Sequence, residues 1–371
     1  MATTLTKNAY RADHLGSFLR SPEILALRAS KPHSPELRAA EDREILRLLQ
    51  KQKELGFDIF TDGEVRREGF MSDLVEAVDG FSKSDADGRQ WTNAQTKSTG
   101  KTQPLFDVVS AKITQKQRLT EYETSFLLKN SPGPVKMTLP SSNQFPAIAY
   151  RKGISEKAYP TYAPFLADVA AIIAGEMAAL AAEGVAYIQI DAPRYSYYLD
   201  EKWRTFLRNE YSQDLDALLD EAIASDNLGF RKARKPGVIL AIHLCRGNNK
   251  SNWYAQGGYD AIAEKLFTQL EVDRFLLEYD DERSGSFEPL RFVPKGKIVV
   301  LGLVSTKIGA LESADALAKR IDAASKVLPL DQLALSPQCG FASMAEGNII
   351  AESEQWAKMK LVADVAKKVW G

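Results

Sequence analysis

The chain is 371 residues long, with 44% hydrophobic and 26% charged residues, which is ample apolar sequence for a large core. Its 48 basic and 49 acidic residues leave a formal charge of -1, so the balance points away from nucleic acid and anionic membrane surfaces and toward a small-molecule ligand. Two cysteines in this length make no disulfide framework, and a reducing, cytoplasmic setting with free thiols or metal ligands is expected.

Residues 1–7 contain no apolar run of the signal-peptide kind, and no later stretch reads as the eighteen or so apolar residues of a membrane span. The first expected strand, Tyr10–Ser17, runs into Ser21-Pro22, an N-cap followed by proline at the first helical position. Helical periodicity over 35–55 places Leu37, Ile45, Leu48 and Leu49 on one face and stops at Gly56. Phe57–Glu64 reads as a second strand that ends in polar groups. Residues 80–131 are polar, with strand-like pieces such as Leu105–Val109, and read as an inserted hairpin-like excursion that is left open as a lid, a dimer arm or both. A homodimer is accordingly one expectation.

After Pro132-Gly133-Pro134 comes a third strand, Val135–Ser141, and an alanine-rich helix over 160–183 that ends near Gly184. Strands Tyr187–Pro193, Val238–His243, Arg274–Asp280, Ile298–Ser305 and Leu333–Cys339 follow, separated by expected helices near 203–225, 258–270 and 312–326 and closed by one over 350–369. About eight strands alternating with helices predict an α/β fold, a single (β/α)8 TIM barrel with the 80–131 excursion inside it.

In such a barrel the C-terminal strand ends converge, and here they carry Ser17, Glu64, Asp191, His243, Cys245, Glu278 and Cys339. His243 and Cys245 are two apart on a strand and so share a face, with Leu244 on the other. One imidazole, two thiolates and one carboxylate make a complete tetrahedral set for zinc. Each residue also has a plain structural reading. Cys339 would be an apolar filler, His243 a donor to a backbone carbonyl, Glu278 part of a solvated acidic loop over 278–283, and His14 a hydrogen-bonded structural residue.

Together, Leu15-Gly16-Ser17-Phe18, Asp62-Gly63-Glu64-Val65-Arg66-Arg67, Gln189–Pro193, His243-Leu244-Cys245, Leu277-Glu278 and Ser336-Pro337-Gln338-Cys339-Gly340 resemble the catalytic domain of cobalamin-independent methionine synthase over nearly the whole chain. The resemblance implies Zn2+ held by His243, Cys245, Glu278 and Cys339. It also implies an amino-acid thiol such as homocysteine held by Leu15, Gly16, Ser17, Glu64 and Asp191. Zinc brings a bound thiol to the thiolate at neutral pH, and that thiolate attacks an alkyl carbon. Glu278 is expected to be the exchangeable ligand, since a carboxylate binds zinc more weakly than a thiolate does.

The chain departs from that family in its donor half. It matches a short, core-only member, with Pro140 where the family stacks a tryptophan on the pterin and Val304-Ser305-Thr306-Lys307 where it places a proton-donating histidine. Ser305 is thereby the candidate at the catalytic donor position, although a serine is a poor acid. Trp253, Tyr254, Tyr195, Tyr197 and Tyr198 follow strand ends and are candidates to line the donor pocket. The expected reaction is methylation of a zinc-bound thiol, with folate, methylcobalamin or another donor left open. The rivals are addition of a thiol such as coenzyme M to an epoxide, a lyase like uroporphyrinogen decarboxylase, and an inactive zinc- or thiol-binding protein.

Overall fold

The computed structural model describes residues 10–83, 90–101, 107–211 and 213–371. Residues 1–7 and part of the 80–131 segment, Leu105 and Phe106 included, lie outside the described residues. The centre is a six-stranded parallel sheet of β1 (Lys136–Pro140), β2 (Tyr187–Asp191), β3 (Ile239–Leu244), β4 (Arg274–Glu278), β5 (Ile298–Val304) and β6 (Leu333–Pro337). Its spatial order is β6-β5-β4-β3-β2-β1. Every residue of these strands is buried, as expected of parallel strands covered on both faces, and their Val, Ile and Leu content follows from that burial.

The first two expected strands differ from the other six. Segment 10–17 makes a single parallel bridge, Ala12 to Leu335 of β6, and segment 57–64 makes another, Phe60 to Val135 beside β1. They meet each other through His14 Nε2 and the Ile59 carbonyl at 3.2 Å, the Thr61 hydroxyl donating to Gly16 O at 2.8 Å, and Phe18 N–H donating to Gly63 O at 3.1 Å. Gly16 (φ 119°) and Gly63 (φ 75°) leave the extended region, so regular ladders cannot continue there. His14 is buried against Phe18 and Phe57, and burial pushes its imidazole down to about 4.

Helices flank the sheet. Pro35–Glu54 begins on Ser34, whose hydroxyl accepts from Leu37 N–H, and presents Leu37, Ile45, Leu48 and Leu49 to the core. The expected 203–225 helix is two, Glu201–Tyr211 and Leu215–Ala233, and the 258–270 helix shortens to Ala263–Gln269 after a 3-10 turn. Tyr162–Glu183 is long and apolar enough to cross a membrane by length and composition, contrary to the expectation of no such stretch. Its Phe165, Val169, Ile173, Met177 and Leu180 are nevertheless buried. Gly229 of the neighbouring helix lets Met177 approach to where a Cβ would stand 2.4 Å from its sulfur.

The 80–131 segment opens with Val78–Ser82 paired antiparallel to Val108–Gln115. A second pair, Gln90–Asn93 with Thr99–Lys101, takes Asn252–Trp253 of the loop after β3 on its other edge. The helix Glu121–Asn130 completes the segment. This pairing carries Trp91 over the C-terminal end of the sheet.

Candidate active site

Ladder register levels the strand ends. Asp191 of β2 pairs with His243 of β3, and Gly302 of β5 pairs with both Glu278 of β4 and Ser336 of β6. Cys245 and Cys339 then lie one and two residues past their strands. Nε2 or Nδ1 of His243, Sγ of Cys245 and Sγ of Cys339 all fall within 4.8 Å of one another, and all three residues are buried. His243 Nδ1 stands 3.1 Å from the Leu276 carbonyl, an acceptor only, so Nδ1 carries the proton and Nε2 presents its lone pair. Among the described residues that buried Nε2 has no hydrogen-bond partner, and the Cys245 and Cys339 thiols are its neighbours. The hydrogen bond between the thiols, with His243 beside them, holds the Cys339 thiol well below its usual range and pushes Cys245 well above.

A buried, unpaired imidazole nitrogen facing two thiols is costly unless something coordinates all three. Tetrahedral zinc, with Zn–S of about 2.3 Å and Zn–N of about 2.0 Å, separates its ligand atoms by roughly 3.5–3.8 Å, compatible with this spacing. The oriented Nδ1–H is also the support that metal-binding histidines ordinarily have. The residues present fit the metal.

Glu278 stands outside that three-residue group. It is fully buried, which disposes of the solvated-loop reading. Its Oε2 accepts the Arg246 backbone N–H at 2.6 Å, and its Oε1 lies 3.1 Å from Arg283 Nη2 and 3.8 Å from Lys307 Nζ. Burial would raise this carboxyl, but Lys307, Arg283 and Arg246 hold it at about 2.

The three donors open on a cavity of about 240 Å³, which Leu15, Ser17, Glu64 and Asp191 also line. Glu64 arrives from the Asp62-Gly63 turn with φ of 54°, strain of order 1–3 kcal/mol for a side chain there, and Thr138 Oγ1 donates to its Oε1 at 2.8 Å. Asp191 accepts from Gln189 Nε2 at 2.7 Å. Burial raises both carboxyls, Asp191 to about 7 with Glu64 adding repulsion, while Arg67 and Arg20 temper the rise at Glu64. Gly16 is required beside them, because a Cβ there would stand 2.9 Å from Glu64 Oε1. Ser17 Oγ accepts from Ala342 N–H at 3.3 Å, tying this corner to the loop that carries Cys339.

The opposite wall is aromatic, formed by Trp91, Tyr197, Trp203, Phe206 and Tyr254, with Arg151 among the lining residues. Trp203 stacks on Tyr197 at 4.2 Å, and Trp91 meets Tyr254 edge-on at 5.0 Å. Of the aromatic candidates, Tyr197 and Tyr254 line the cavity. Tyr195 is turned to Asp226, Trp253 lies under Arg283, and Tyr198, beside Tyr195, stays off the wall. Neither Pro140 nor Ser305 is among the lining residues. Ser305 N–H donates to Glu312 at 2.8 Å, and two residues on it is Lys307 that turns inward. Reading the strand end alone misses Lys307, and no spacing signal marks Trp91, Trp203 or Phe206.

Residues 14–368 match the family model described as "Cobalamin-independent synthase, Catalytic domain". The chain belongs to this family. Among relatives of this cobalamin-independent synthase domain, "Uncharacterized protein YxjH" of Bacillus subtilis is 37% identical over 98% of this chain and 96% of its own length. A methionine synthase of Pyrococcus abyssi is 24% identical, covering 79% of this chain and 73% of its own. The crystal structure of a putative vitamin-B12 independent methionine synthase from Listeria monocytogenes superposes with a TM-score of 0.71 at 27% identity, covering 97% of this chain and 98% of that one. The chain is thus a member of the cobalamin-independent synthase family with an α/β fold on a parallel sheet.

Proposed function

We propose that this is a cytoplasmic, zinc-dependent methyltransferase that activates homocysteine or a related small amino-acid thiol and methylates its sulfur. The observation that carries the reading is the convergence of His243, Cys245 and Cys339, with Nε2 of the imidazole unpaired, on the same cavity as Glu64 and Asp191. Zinc bound by those three donors would lower the pKa of a coordinated thiol, so that its sulfur is a thiolate at neutral pH. Asp191 and Glu64 pair with the ammonium of the amino acid, and the Leu15-Gly16-Ser17 turn receives its carboxylate. The aromatic wall excludes water and orients the methyl donor over the sulfur. The bridges of segments 10–17 and 57–64, and their contacts with each other, support reading them as the two strands that close a (β/α)8 barrel around this site.

The test is to incubate the zinc-loaded protein with homocysteine, and separately with coenzyme M, in the presence of methyl folate, methylcobalamin and epoxide electrophiles, and to follow loss of free thiol. Homocysteine consumed with formation of methionine supports the reading. Turnover of coenzyme M with an epoxide alone would replace it with alkyl transfer, and zinc far below one per chain in purified protein would remove the metal from the mechanism.

A further inference from the structure

Lys307 is a buried cation beside the candidate metal donors that the reaction above does not use. It is 1% exposed, its Nζ has no hydrogen-bond partner among the described residues, and its ion-pair contact is Glu278 Oε1 at 3.8 Å. An ammonium stripped of water is expensive to bury, so its site must repay that cost through nearby negative charge. The segment is fixed in place: Thr306 donates through N–H and hydroxyl to Gln338 Oε1 at 2.8 and 2.7 Å, and Gln338 precedes Cys339. Arg283 is equally fixed, with Nε donating to Asp281 at 2.7 Å and its guanidinium over Trp253 at 4.7 Å. Asp280 lies 3.9 Å from Arg283 and is the other carboxylate within the field of both cations. Glu278 Oε1 therefore faces two cationic side chains that are neither thiol nor imidazole, while its Oε2 takes the Arg246 backbone N–H.

We infer that Lys307 is a positioning residue: with Arg283 it provides a seat for the Glu278 carboxylate beside the His243, Cys245 and Cys339 donors, and so leaves one metal position to an incoming thiol. The inference rests on the thiol-activating reading. With zinc held by the three donors, the carboxylate would keep its charge and stay on the two cations, the thiol sulfur would take the remaining position, and the thiol proton would pass to solvent. Nothing is oxidised or reduced. Without Lys307 the carboxylate keeps Arg283 and the Arg246 backbone N–H but loses one of its two side-chain cations, and it competes harder with the thiol.

The experiment is a double-mutant cycle on the zinc-loaded full chain, read by calorimetric titration with homocysteine and by zinc content. Lys307→Met is expected to raise the homocysteine Kd about tenfold, or about 1.4 kcal/mol, with zinc still near one per chain. In a Glu278→Gln background the same change should alter Kd less than about twofold, because no carboxylate remains to be seated. Lys307→Arg, which keeps the charge, should stay within about threefold of the natural chain. If Lys307→Met does not fold, Lys307→Gln carries the same cycle. An unchanged Kd in Lys307→Met, or an equal loss in both backgrounds, overturns the inference. A natural chain that binds homocysteine no better with zinc than without it overturns the thiol reading instead.

Discussion

At one end of the cavity, Asp191 and His243 sit on paired parallel strands and Cys245 and Cys339 one and two residues past theirs, so sheet register and a very short length of loop set how far apart they stand. At the other end, Trp91 comes from an inserted hairpin, Tyr197 from a 3-10 turn, Tyr254 from the loop after β3, and Trp203 and Phe206 from a following helix. A ladder cannot slip without turning every buried side chain of a strand outward, whereas a hairpin or turn changes at little cost to the sheet. The difference teaches that the candidate metal donors belong to the sheet, while the aromatic wall belongs to segments laid over it.

The most severe way to break the strand-end half is Cys339→Ser. Zinc per chain should fall to a small fraction of the natural content and thiol consumption by about 100-fold or more, measured by metal analysis and a free-thiol assay. Retention of both would make Cys339 a filler. Asp191→Asn should raise the homocysteine KM about 10- to 100-fold, the worth of a buried charge-assisted pair, and leave a thiol acid lacking the amino group unaffected. Equal losses for both thiols would place the ammonium elsewhere.

Asp191 also predicts a pH dependence. Its carboxyl, raised to about 7 by burial and by Glu64, is protonated below that pH and charged above it. Binding of an ammonium-bearing ligand should therefore strengthen as pH rises from 6 to 8, by at most about tenfold. Methionine, which has no ionising thiol, isolates the effect, and a flat calorimetric profile would contradict it. The smallest change expected is on the loop half. Trp91→Ala should raise the donor KM about five- to tenfold through loss of an aromatic wall, with homocysteine affinity within about twofold. Loss of thiol affinity instead would show that the two ends are not separable.

Much of the thiol end was legible in residue order. A histidine and a cysteine two apart at the end of an apolar strand, and a second cysteine after another, announce donors on one face. Glu278 was legible as a strand-end carboxylate but not its partners, because Lys307 lies beyond the next strand and Arg283 in a loop whose path no periodicity describes. Ser305, expected at the donor position, places its backbone N–H on Glu312 and is not among the residues lining the cavity. The chain turns after β5, and two residues past Ser305 it is Lys307 that reaches Glu278. The first two expected strands, 10–17 and 57–64, make only single bridges among the described residues, and Gly16 and Gly63 near their ends take positive φ outside the extended region.

By itself the sequence determined the alternation of strand and helix, because burial on both faces demands continuous Val, Ile and Leu runs and helices demand a 3.6-residue period. It also determined the chemical identity of the candidate donors. The tertiary structure alone decided which of them share a point in space, that Glu278 is held by two cations, and that rings from the 90–93 hairpin and the 193–211 segment face the metal donors across one cavity. Local patterns record which face a residue occupies. Distances between residues a hundred positions apart are set by sheet register and loop path, which no local pattern encodes.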